Sequence, residues 1–124
     1  MGLDMYLERQ DRKTGICEDV GYWRKANAIN RWFQENCYHG DDEFNCIKVI
    51  VTKKNLQELI SICKGILNHE ISPYVLPRGQ GFFFGSTTYD DWYYEDLKDT
   101  IKICEDVLKE TNFKTHRILY HCWW

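Results

Sequence analysis

The chain has 124 residues and a mass of 14.9 kDa, enough for one domain and too little for two independent cores. Its 44% hydrophobic and 28% charged residues are the composition of a globular protein and exclude a mainly disordered one. A formal net charge of -3 and a pI near 5.8 argue against general nucleic-acid binding and leave room only for a local basic patch.

Residues 2–9 alternate, with Leu3, Met5 and Leu7 toward a core and Asp4, Tyr6 and Glu8 away from it, so the spacing predicts a strand. The turn-like stretch 10–15 leads to a short second strand, Ile16 to Val20, which completes a hairpin. A helix is predicted over 22–37, with Ala26, Ile29, Phe33 and Cys37 as its buried stripe, widened by Trp32. Residues 38–43 break it, and Phe44 to Val51 reads as a strand. Thr52 caps a helix from about 53 to 68 with Leu56, Leu59, Ile60, Cys63 and Leu67 on one face.

Residues 70–88 hold both prolines and three glycines, and such long irregular connections tend to carry sites. Thr88 with Asp91 three residues later fits a capping box, opening a helix near Tyr89 that runs to about Glu110. Lys114 to Trp123 reads as the last strand. The order predicts an α+β fold, a single compact domain over 1–124. It has a mainly antiparallel sheet of about 3–5 strands, with about three helices packed on it.

The six cysteines, at 17, 37, 46, 63, 104 and 122, do not form a secreted disulfide framework. Met1-Gly2-Leu3-Asp4 carries no leader-like basic or apolar region, so free thiols in a reducing cytoplasm are expected. Apolar runs are too short to cross a bilayer, and Tyr6 stands where a myristoylation signal needs Ser or Thr.

Cys37, His39, Cys46, His121 and Cys122 are the best candidate metal ligands, but without a Cys-x2-Cys or His-Glu-x-x-His spacing they read as buried thiols and surface histidines. No metal or cofactor is expected. Gly79-x-Gly81-x-x-x-Gly85 is neither a dinucleotide fingerprint nor a P-loop, and no nucleophile elbow is present. Ser86, Thr87 and Thr88 lie at a predicted helix start, which suits either an ordinary cap or a phosphate. Arg24, Asn27 and Arg31 recur at i, i+3 and i+7 behind Trp23, a set that can stack on a base, meet phosphate and read ring edges. The competing reading puts Trp23 and Trp32 in the core.

Three blocks, Met1–Leu7, Tyr22–Ile29 and Gly81–Leu97, together resemble a family of small proteins from bacteriophages and prophages whose activity is not established. The resemblance spans nearly the whole chain. It implies a phage setting and one compact domain, and it transfers no catalytic residue. It draws emphasis to Asp4, Arg24, Lys25, Asn27, Ser86, Thr87, Tyr89 and Asp90, which a fold alone does not require.

The leading expectation is an accessory anti-defence protein in the host bacterium's cytoplasm that sequesters a nucleotide-type immune signal without catalysis. In it Trp23, Phe83 or Tyr89 stack on a base, Arg24 and Lys25 hold phosphate, and Ser86 and Thr87 bond phosphate or ribose. One alternative is an acidic inhibitor of a host effector such as a CRISPR nuclease, contacting it through 41–43 and 90–96. Another is a small nucleotide-modifying enzyme with Asp4, Asp90 or Glu95 as acid or base. The Trp123-Trp124 pair is costly to expose and suits a homo-oligomer contact.

Overall fold

Leu3, Met5 and Leu7 are fully buried while the side chains between them reach solvent, and this period-2 pattern makes β1, Asp4–Asp11, the axis of the sheet. The computed structural model describes residues 2–40, 44–76 and 91–124. β1 pairs antiparallel on one side with β2, Cys17–Arg24, and on the other with β4, His116–Trp123. β4 in turn pairs with β3, Val49–Val51, giving one antiparallel sheet in the order β2-β1-β4-β3. The β1–β2 turn is held by the Asp11 carboxylate, which accepts from the Lys13 and Thr14 amides, and by Gly15 at φ +76°. Those amide hydrogen bonds hold the Asp11 carboxyl below its ordinary pKa.

Among the described residues three helices complete an α+β domain: α1, Asn27–Cys37, α2, Lys53–Leu67, and α3, Asp91–Glu110. They share one core with the inward residues of the strands. In that core Phe33 of α1 stacks on Tyr120 of β4 with ring centroids 4.0 Å apart, and the Tyr120 hydroxyl donates to Asn30 Oδ1 at 2.6 Å. α2 packs along α3, with its Leu56, Leu59, Cys63 and Ile66 buried in the core, and Lys64 pairs with Glu105 at 3.1 Å across their exposed sides. The Thr52 cap is present in full: its hydroxyl accepts from the Asn55 amide, and the Asn55 side chain accepts from the Thr52 amide.

Two predicted elements are corrected. The helix expected from Tyr22 begins at Asn27, because Tyr22, Trp23 and Arg24 extend β2 and pair with Tyr6, Met5 and Asp4. Burial of Trp23 beside Met5 outweighs continuation of the helix, and Lys25, at φ +57°, turns the chain out of the strand. Arg24, Asn27 and Arg31 therefore do not share a helical face. The strand expected from Phe44 shortens to Val49–Val51, because Cys46 takes a left-handed conformation at φ +64° while its amide bonds the Cys122 carbonyl.

Stripes predicted for the helices are largely the buried ones. Ala26, Ile29, Trp32, Phe33 and Cys37 are all inside, whereas Ile60 and Leu67 of α2 and Ile101 and Leu108 of α3 lie at its margin. Within the connection expected over 70–88, the described part holds a single 3-10 turn, Pro73–Val75. Tyr93 ties this turn to the start of α3 by donating to the Leu76 carbonyl at 2.7 Å.

Candidate functional site

Antiparallel register decides which side chains meet on the sheet face turned away from the core. One cross-strand row there is Arg24–Asp4–Trp123, and the next is Tyr22–Tyr6–His121. In the second row Tyr6 stacks on His121 with centroids 4.9 Å apart and tilts against Tyr22 at 5.3 Å. The Tyr22 hydroxyl donates to Asp4 Oδ1 at 2.6 Å, joining the two rows. That bond to the Asp4 carboxylate pushes the Tyr22 pKa up, so the phenol stays neutral. Trp123 is 64% exposed and Tyr22 51%, which leaves two large ring faces open at this end of the sheet.

Deeper on the same face Glu8 is buried, with Oε1 lying 3.0 Å from Lys48 Nζ and 2.9 Å from His121 Nδ1. The Glu8–Lys48 contact is an ion pair, and His121 Nδ1 lies against the same carboxylate oxygen. Contact with Glu8 raises the Lys48 pKa and holds that ammonium charged.

A depression of about 270 Å³ opens beside the first row, lined by Gly2, Asp4, Trp123 and Trp124. A β-carbon at Gly2 would come within 3.5 Å of Lys25 Cε, so the Lys25 stem lies against that wall. A larger groove of about 500 Å³ beside β3 is lined by residues including Cys37, Tyr38, His39, Lys48 and Asn55, and contains none of the predicted ligand-binding residues.

The structure brings Asp4 and Arg24 into one row and sets Lys25 next to it. Trp23 is a correction. It is only 4% exposed, and its indole Nε1 donates to Thr100 Oγ1 at 2.8 Å, so it is a core ring and not a stacking surface for a ligand. Asn27 is also buried, and neither Oδ1 nor Nδ2 bonds another protein atom among the described residues. Phe83, Ser86, Thr87, Tyr89 and Asp90 lie outside the described residues. So do the contacts expected over 41–43 and at Asp90 for the inhibitor reading.

Sequence reasoning passed over Tyr6, Tyr22 and His121 as a set, and treated Trp123 as a subunit contact. Alternation did place Tyr6 with Asp4, but Tyr22 was hidden by the helical reading of its segment, and His121 joins them only through the β1–β4 register. All six thiols are free. Among the described residues no group of three or more His, Cys, Asp or Glu is placed to hold a metal ion, and no helix is long and apolar enough to cross a membrane. Comparison with known protein families, curated proteins and solved structures gave no match.

Proposed function

We propose that this is a phage accessory protein that binds a small nucleotide-type immune signal in the host cytoplasm and sequesters it without catalysis. The observation that carries the reading is the Arg24–Asp4–Trp123 row beside the Gly2–Asp4–Trp124 depression. It sets an open indole face, a guanidinium and a carboxylate within one cross-strand row, with the Lys25 stem against the depression's wall. A planar ring can stack on Trp123, phosphate can pair with Arg24 and Lys25, and the Asp4 carboxylate can accept from a base amino group. The stacking role expected of Trp23 passes to Trp123.

The test is native mass spectrometry of protein purified from bacteria with an active nucleotide-signalling defence, followed by heat release of whatever is bound. An intact nucleotide released from the wild type and lost from the Trp123→Ala and Arg24→Ala variants is the expected result. A chemically altered nucleotide would replace sequestration by turnover. Protein free of ligand from every signalling strain overturns the reading.

A second reading, an inhibitor docking on a host defence protein, is favoured by a different surface. Trp92 at the start of α3 and Tyr74 and Val75 of the 3-10 turn are 75%, 77% and 56% exposed. The Tyr93–Leu76 bond holds their two segments together. Large apolar residues exposed on a small domain suit a protein partner.

A further inference from the structure

We propose that the outer edge of β2 pairs antiparallel with the same edge of a second copy of this chain, joining two four-stranded sheets about a two-fold axis at Tyr22. This surface is independent of the nucleotide reading above. Among the described residues the sheet ends at β2 on one side and at β3 on the other. β3 has 3 residues and β2 has 8, so β2 is the edge long enough to take another strand. Its backbone is aimed that way. The Lys25 amide bonds the Leu3 carbonyl just ahead of β1. Successive antiparallel pairs alternate between bonded and non-bonded. Trp23 therefore turns its N–H and C=O toward Met5, whereas Tyr22 and Arg24 turn theirs to the outer edge.

The order of charge along this edge says what it pairs with. Glu18 and Asp19 stand near one end of β2, Arg24 and Lys25 at the other, and all four are exposed. An irregularity in the β1–β2 register leaves Val20 without a partner position on β1. Without that extra residue, Asp19 and Arg24 would point to opposite faces of the sheet. With it, Asp19 lies opposite Glu8 and Arg24 opposite Asp4, both on the outward face with Tyr22. Antiparallel pairing about Tyr22 then brings Asp19 of each copy to Arg24 of the other, and two-fold symmetry makes the match twice. Glu18 and Lys25 follow it toward the ends, although Glu18 also pairs with Arg9 of its own chain, so the Asp19–Arg24 match carries most of the selectivity. A parallel arrangement would set acid beside acid and base beside base. Opposite charges across a strand pair stabilise it and like charges oppose it, so the edge is complementary to itself in the antiparallel sense. The Arg24 guanidinium has five N–H donors, enough for this carboxylate and an anion together.

The test is sedimentation equilibrium of the full chain over a rising series of concentrations, with thermal unfolding to check that each variant is folded. The wild type is expected to reach twice the 14.9 kDa mass of the chain. Asp19→Lys sets a lysine against Arg24, and Arg24→Glu sets a glutamate against Asp19, each at both ends of the interface. Either variant alone should weaken association by about ten-fold or more. Mixing the two in equal amounts restores an acid–base match at both ends and should recover a dimer, and so should the chain carrying both substitutions. Arg24→Gln, which adds no charge beside Asp4, serves if the glutamate variant does not fold, and should also weaken the dimer. A monomer at every concentration overturns the proposal. A dimer that neither single variant weakens, or a mixture that does not recover one, overturns it as well.

Discussion

Trp23 and Thr100, 77 residues apart, meet inside the domain, where the indole Nε1 donates to the threonine Oγ1 at 2.8 Å. The same hydroxyl donates a hydrogen bond to the Asp96 carbonyl one helical turn back, at 2.6 Å. The indole also stands edge-on to Phe33 of α1 and Tyr120 of β4, at 5.9 and 6.4 Å. One side chain of β2 thereby engages α1, α3 and β4. Its polar end is satisfied by a residue that would otherwise look like an unremarkable helix threonine.

Thr100→Val keeps the shape of that side chain and removes its acceptor, leaving the Trp23 N–H buried and unmatched. The expected loss is about 1–3 kcal/mol, read as a lower urea midpoint at unchanged slope. Trp23→Phe in the Thr100→Val background should cost less than it does in the wild type, because the orphaned donor is gone. An unchanged midpoint for Thr100→Val would show that the bond adds nothing.

Much of this architecture was legible in the residues. The β1 alternation, the α1 stripe from Ala26 to Cys37 and the Thr52 cap all rest on local spacing, which a sequence displays directly. Segment 22–24 was misread because Tyr-Trp-Arg suits a strand as well as a helix, and only the pairing with β1 and the bond to Thr100 decide between them. The candidate site was legible in part. Asp4 and Arg24 stood out as residues, but their shared row with Trp123 depends on register, which is a property of the sheet and not of any one strand. Asn27 was singled out for chemistry, yet its burial is visible only once the core is assembled.

Gly21→Ala should destabilise the domain by about 1–3 kcal/mol. A β-carbon there would sit 2.5 Å from Ile103 Cγ2 and 3.4 Å from Leu7 Cβ, so the residue is small because α3 packs directly on β2 at this point. Ile103 is anchored on a 20-residue helix and cannot simply swing away. Ile103→Ala in the Gly21→Ala background is expected to recover part of the loss, measured by chemical unfolding. Failure of that second substitution to recover any stability would place the strain elsewhere in β2.

Cysteine labelling separates the thiols by burial. Cys46 is exposed and Cys17 half-buried, whereas Cys37, Cys63, Cys104 and Cys122 are inside the core. Burial pushes Cys37, Cys63 and Cys122 up to about 12, and Cys104 higher still, which suppresses the reactive thiolate. Iodoacetamide at pH 8 should modify Cys46 first and Cys17 next, and spare the other four until denaturant is added. Peptide mass spectrometry gives the order directly, and early modification of Cys63 or Cys104 would mean that the α2–α3 contact opens readily.

The same four thiols make the fold sensitive to alkali. In the unfolded chain a thiol loses its proton near its ordinary 9.0, while in the folded protein Cys37, Cys63 and Cys122 keep theirs to about 12. Burial likewise raises the phenol of Tyr120 well above 10. Below about pH 8 both states hold these protons, so the groups contribute no pH dependence. Between 9 and 12 the folded state binds more protons than the unfolded one, and stability falls as pH rises, by up to about 1.4 kcal/mol per pH unit for each group. Guanidinium unfolding under reducing conditions at pH 7, 8, 9 and 10 should show a plateau followed by a decline. Cys104→Ala removes one of these protons from the balance, so its decline above pH 9 should be shallower than that of the wild type even though the cavity lowers its stability at pH 7. Parallel declines in the two proteins would show that Cys104 ionises no differently folded than unfolded.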